Sequence, residues 1–186
     1  MLTTDGCKIN IKMKLIDVCL ILVLIYYTSC CSLPDFCAEN ENLLELGPKS
    51  LYTECNVAIP ANEVRRPPLV QLRDAIEDSM YLLIVVDPDA GTAADVLHWM
   101  ITDIKGSSLR TGHVDDGESV TQISYKGPNP PGAEKHRYQF LLYEQPTGGI
   151  DTSSKRRIRF NLEHFLTRNN LCDTVPVASF QYKSFQ

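Results

Sequence analysis

The sequence predicts a mainly β domain, an antiparallel β-sandwich with one or two peripheral helices. Two observations carry this: short apolar runs recur at regular spacing with turn residues between them, and a helical stripe occurs once. Composition agrees with a packed globular chain, at 186 residues, 44% hydrophobic and 22% charged, which excludes collagen-like, coiled-coil and disordered classes.

The first element is a leader. Lys8, Lys12 and Lys14 precede the apolar run Val18 to Tyr27, and Thr28, Ser29, Cys30, Cys31 and Ser32 follow it. A basic segment, a short apolar segment and small residues are the pattern of a secretory signal peptide. The run is too short to span a bilayer, which needs about 20 apolar residues. Met13 serves as a start as well as Met1. The expected division is a signal peptide over 1–32, cut between Ser29 and Leu33, and a single domain over 33–186. The whole chain carries 18 Lys and Arg against 23 Asp and Glu, a net charge of −5. That balance excludes nucleic acid as a main partner, since no basic footprint is present.

An exported chain meets an oxidising compartment, so its thiols are expected to pair. Of seven Cys, the expected mature chain keeps Cys37, Cys55 and Cys172. Cys37–Cys55 is the first choice, because the enclosed segment has little apolar pattern to hold it down. The pairing among the three stays open.

Residues 35–73 are polar and broken by proline, with short strand candidates at Cys55–Ile59 and Leu69–Leu72. Met80–Val86 is a continuous apolar run ended by Asp87-Pro88-Asp89, the pattern of a strand buried on both faces. His98–Ile104 is the next strand, ended by Lys105-Gly106. Val120–Tyr125 and Tyr138–Tyr143 follow, on either side of a proline- and glycine-rich loop over 127–132. Ile158, Leu162, Phe165 and Leu166 then fall on one face of a helix, and Val177–Tyr182 is the last strand. Lys155, Arg156, Arg157 and Arg159 read as a solvated basic run at the start of that helix, the alternative being a patch for an acidic partner. Trp99, the single Trp, is expected in the core. No sequon for N-glycosylation occurs.

Polar groups gather at the strand ends, in 87–91, at His98-Trp99 and in 127–138. Taken singly each has a plain structural reading: Asp-Pro-Asp is a turn, and a His at a strand start is commonly a rim residue. The spacing of His and Asp does not fit a metal site, and no nucleophile elbow or phosphate-binding glycine loop occurs. Catalysis and a cofactor are therefore not expected, and no metal is.

Together, the blocks DPDAG at Asp87–Gly91, HWMITDIKG at His98–Gly106 and HRYQFLLYEQ at His136–Gln145 resemble the signature blocks of the phosphatidylethanolamine-binding protein family. The resemblance runs over roughly 52–182. With the leader, its wording is similar to the secreted animal branch. It implies a β-sandwich with a small pocket at one end for phosphate-bearing head groups or other small anions. On that resemblance the ligand-binding residues are Asp87, His98, His136, Tyr138 and Gly127, with Asp89, Pro88 and Pro130 supporting the loops. Chemically the set fits: an imidazole N–H, a phenol and backbone amides at a glycine bend converge on a phosphate, while Asp87 orients a His and favours its charged form. The implied protein is a secreted, non-enzymatic binding monomer without stable membrane insertion. The alternative is a protease or kinase-pathway inhibitor or signalling partner acting through a protein surface such as the 126–135 loop.

The sequence also departs from the family. Gly91 replaces a usual Pro, and eight residues separate Asp89 from His98 where the family commonly has more. Ala93 and Val96 stand nearest the family's aromatic pocket wall. No segment after Val177–Tyr182 supplies the C-terminal helix of some members.

Overall fold

The computed structural model describes residues 31, 33, 36, 44–47, 56–90, 95–172, 174 and 176–186, with the backbone of 3–4 and 7–8. The expected leader run Val18 to Tyr27, the Cys37–Cys55 pair, Gly91 and Ala93 lie outside the described residues. Thr3–Thr4 (β1) and Cys7–Lys8 (β2) form a short antiparallel pair.

The centre of the molecule is a six-stranded sheet in the order β4-β10-β9-β6-β7-β8. Its strands are β4 (Ala58–Pro60), β6 (Met80–Asp87), β7 (Val96–Lys105), β8 (Val120–Ile123), β9 (His136–Glu144) and β10 (Ala178–Phe185). β6 is the continuous apolar run, and its period-2 alternation divides it between two cores. Tyr81, Leu83 and Val85 join one core with Tyr138, Phe140, Phe180 and Tyr182. Leu82, Ile84 and Val86 join the other with Leu141 and Tyr143.

The first core is closed by a two-stranded sheet, β3 (Glu45–Gly47) and β5 (Leu69–Gln71), through Leu46 and Val70. Leu109 of α1 (Gly106–Thr111) adds to it. The second is covered by α2 (Leu162–Arg168), which buries Leu162, Phe165 and Leu166 beside Phe160. Each such side chain contributes roughly 1.5–3 kcal/mol on burial, so packing rather than propensity holds a helix this short.

The mainly β architecture stands as the sequence predicts, with four differences. β10 runs parallel to β4, with Lys183 opposite Ala58; the two lie far apart in sequence, so no hairpin imposes the antiparallel sense. α1 follows β7 where only a strand end is expected, and stops at Gly112, whose φ of 82° suits a left-handed cap. Gly106 opens α1 in contact with the chain ahead of β6, since a Cβ there would lie 1.8 Å from the Ile76 carbonyl oxygen.

The third difference is that α2 begins at Leu162 rather than Ile158, which is 66% exposed. Phe160 is taken into a bridge with Asp95, each amide donating to the other's carbonyl at 2.9 Å. Asn161 then caps the helix by accepting the His164 amide at 2.8 Å. The fourth, among the described residues, is a disulfide that joins Cys31 to Cys172 beside the second core. Cys31 falls on the leader side of the expected 32/33 boundary. Keeping it requires a cut at the early end of the Ser29–Leu33 window.

Trp99 packs in the first core, edge-on to Tyr125 at 5.3 Å. The basic run is not uniformly solvated. Arg157 donates to the carbonyls of Leu97, His98 and Ser124 at 3.1, 3.1 and 2.8 Å, and Lys155 reaches Gln122 Oε1 at 2.5 Å.

Candidate functional site

The end of β6 meets the beginnings of β7 and β9 because both neighbours run antiparallel to it. That juxtaposition gathers Asp87, His98, His136 and Tyr138, which are 3%, 5%, 5% and 1% exposed. Asp87 continues the alternation of Tyr81, Leu83 and Val85, and His136 that of Tyr138 and Phe140, so they share the first-core face. His98 reaches it by a bulge. Trp99 pairs with Val85 and Leu97 with Val86, leaving His98 as the extra residue of β7. Such a bulge re-aims a side chain, and the His98 ring stands edge-on to Tyr138 at 5.0 Å.

His136 Nδ1 donates to Asp87 Oδ2 at 2.8 Å, and Glu134 Oε2 lies 3.5 Å from its Nε2. Burial opposes charge on this imidazole, but the Asp87 hydrogen bond and charge, with Glu134 and Asp89 behind them, raise its pKa above the usual value. Asp87 Oδ1 also accepts the Asp89 amide at 2.8 Å, which fixes the turn after β6.

His98 behaves oppositely. Burial lowers its pKa, the Lys126 carbonyl and Asp87 resist, and Arg157 and Lys126 add to the lowering. Its Nδ1 lies 2.6 Å from the Lys126 carbonyl oxygen. A carbonyl only accepts, so Nδ1 carries the proton and the neutral ring keeps a lone pair on Nε2.

Burial raises the Tyr138 hydroxyl pKa, as does the Asp87 charge, while the Asn129 amide bonded to the phenol oxygen works against them. Tyr138 therefore stays a neutral hydroxyl between the 127–132 loop and Asp87. Its ring stacks on Tyr182 at 5.5 Å.

Asp89 accepts the Arg137 amide and Nε at Oδ2 (2.8 and 2.9 Å) and Nη2 at Oδ1 (2.6 Å). This forked pair ties the turn after β6 to β9 and holds the Asp89 carboxyl below its usual pKa. Pro88 is half-buried and Pro130 buried. Gly127 packs closely against the chain ahead of it, since a Cβ there would lie 2.8 Å from the Val64 carbonyl oxygen. Among the described residues no group of three or more His, Cys, Asp or Glu side chains converges to hold a metal ion.

Sequence reasoning missed Lys126, Asn129, Glu134, Arg137 and Arg157 as partners of this cluster. Three act on it through a backbone carbonyl or amide, or by bonding one, which residue type does not signal. Arg137 could have been found as a cation beside His136 with Asp89 unpaired.

A family profile described as phosphatidylethanolamine-binding protein matches residues 41–181, most of the chain. The chain belongs to the phosphatidylethanolamine-binding protein family. A rice (Oryza sativa subsp. japonica) member, Protein MOTHER of FT and TFL1 homolog 2, is 31% identical over 126 residues, covering 63% of this chain and 67% of its own. The carboxypeptidase Y inhibitor of Saccharomyces cerevisiae is 35% identical over 101 residues, covering 45% of each. Among solved folds, a carboxypeptidase Y inhibitor complexed with its cognate proteinase superposes with a TM-score of 0.57 at 24% identity, over 78% of this chain and 83% of that one. The likeness of fold extends to the mainly β layers described above. These sequence relatives are plant and yeast proteins, and this member of the family shares between 45% and 67% of their lengths.

Proposed function

We propose that this phosphatidylethanolamine-binding family member is a secreted, non-enzymatic protein that holds a phosphate-bearing head group or another small anion at Asp87, His98, His136 and Tyr138. The observation that carries the reading is the buried Asp87–His136 pair. This imidazole, its pKa raised, presents in its protonated form a second N–H toward Glu134, whose carboxylate is 73% exposed and 3.5 Å away. A ligand oxygen competing for that N–H needs to displace only an exposed side chain. Around it, the Tyr138 hydroxyl donates to an oxygen, and neutral His98 accepts from a protonated phosphate or an ammonium group through Nε2.

Export is supported by the leader pattern and by the Cys31–Cys172 disulfide, which suits an oxidising compartment; the plant and yeast relatives give no support to the secreted animal branch. Titration with phosphoethanolamine tests the pocket. The wild type binds and His98→Ala loses the binding; a wild type that does not bind removes the reading.

A second reading, a protein target, draws on the relative named carboxypeptidase Y inhibitor. Residual activity of carboxypeptidase Y mixed with this protein tests it. Inhibition at stoichiometric amounts supports an inhibitor, and full activity at excess protein removes that target.

A further inference from the structure

The loop between β9 and α2 carries features that the anion pocket does not use. Arg156, Ile158 and Arg159 are exposed, Ile158 to 66%. Among the described residues neither Arg156 nor Arg159 has an ion-pair partner, whereas Arg73, Arg110, Arg137 and Arg168 each lie against a carboxylate.

The loop is held from both sides. Arg157 points inward, its guanidinium on the carbonyls of Leu97, His98 and Ser124 and its own carbonyl on the Leu97 amide at 2.8 Å. Phe160 is buried and bridged to Asp95 by two hydrogen bonds. Between these anchors Arg159 adopts φ of 58°, a conformation that a non-glycine residue occupies only when its surroundings impose it. The loop thus fixes Arg157 inward and turns an arginine, an isoleucine and an arginine to solvent.

We propose that Arg156, Ile158 and Arg159 form a docking surface for an acidic protein segment that also carries an apolar side chain. Charge complementarity selects this occupant. Each guanidinium pairs with a carboxylate through two parallel hydrogen bonds, and the isoleucine between them buries against an apolar side chain. A rigid loop loses little entropy on docking. An anionic membrane is the poorer fit: two arginines and one isoleucine present little attraction or apolar area, and the chain behind them is net negative. The surface deepens the protein-partner reading and does not require the anion pocket.

The test uses a fluorescent peptide of alternating glutamate and leucine, a lysine–leucine counterpart, and vesicles of phosphatidylserine. The full chain binds the acidic peptide and not the basic one. The Arg156→Glu, Arg159→Glu double variant weakens that binding about tenfold or more, as loss of charge-assisted pairs requires, while its phosphoethanolamine titration is unchanged. Arg159→Gly relieves the positive φ, so it keeps or gains thermal stability and still weakens the peptide. Ile158→Ser also weakens it. Equal binding of both peptides, no effect of the double variant, or vesicle binding that depends on these residues overturns the proposal.

Discussion

Asp87 and His136, on adjacent strands, are joined by a 2.8 Å hydrogen bond in which the imidazole Nδ1 donates to the carboxylate, and both side chains are about 95% buried. The pair sets the protonation of the site. Asp87→Asn removes the acceptor charge, so His136 loses its main source of a raised pKa. The expected result is a fall of His136 toward or below its ordinary value, read from the imidazole proton shifts by NMR titration. An unchanged titration would show that Asp87 does not govern it.

Glu134 faces the other imidazole nitrogen at 3.5 Å and competes with any anion there. Glu134→Gln is expected to tighten binding of a phosphate ester a few-fold, a repulsion on the scale of an exposed pair. Calorimetric titration of the variant checks this. Weaker binding would instead place Glu134 among the groups that hold the ligand.

The two histidines give stability opposite slopes with pH. His136 has a raised folded pKa, so its contribution is whole below the ordinary value of 6.5 and is lost as pH climbs through the raised one. His98 has a lowered folded pKa, so its contribution is present above 6.5 and is lost as pH falls beneath it. Thermal unfolding followed against pH is expected to lose its acid limb in His98→Gln and its alkaline limb in His136→Gln. The reverse assignment would contradict the site electrostatics.

Gly127 touches the Val64 carbonyl where a Cβ would stand at 2.8 Å. Gly127→Ala forces backbone apart, and a cost of about 1–3 kcal/mol follows from overpacking. The loop also carries the Asn129 amide that meets Tyr138, so head-group affinity falls with stability. An alanine variant as stable as the wild type would mean that the 127–132 loop gives way freely.

The Cys31–Cys172 disulfide spans 141 residues of sequence. Closing so long a loop stabilises by about 5 kcal/mol in the chain-entropy model, so reduction is expected to lower the unfolding temperature clearly. Mass spectrometry of the exported protein should find a chain that begins at or before Cys31. A mature chain that begins at Leu33 would rule the disulfide out.

Much of this arrangement is legible in the residues themselves. The unbroken apolar run of β6, the turn at Asp87-Pro88-Asp89 and the alternation in β9 locate three strands and place the polar cluster at their ends. What pattern does not encode is partner choice between distant segments. Ile158 reads as the first residue of a helical stripe until the bridge of Phe160 to Asp95 is known, which delays the helix to Leu162. Arg157 reads as a surface charge until three carbonyls converge on it. The bulge at His98 depends on how β6 and β7 align, a tertiary outcome. The parallel sense of β4 and the Cys31–Cys172 pairing are likewise set by which distant segments meet.

The most direct test of the anion pocket is the affinity for glycerophosphoethanolamine between about pH 5 and pH 8. This phosphodiester keeps a constant charge over that range, so any change belongs to the protein. Protonated His136 favours the anion, and binding falls by about tenfold as the pH rises through the raised His136 pKa, while the His136→Gln variant binds weakly and lacks that fall. An affinity that stays flat in the wild type would contradict a site built on the Asp87–His136 pair.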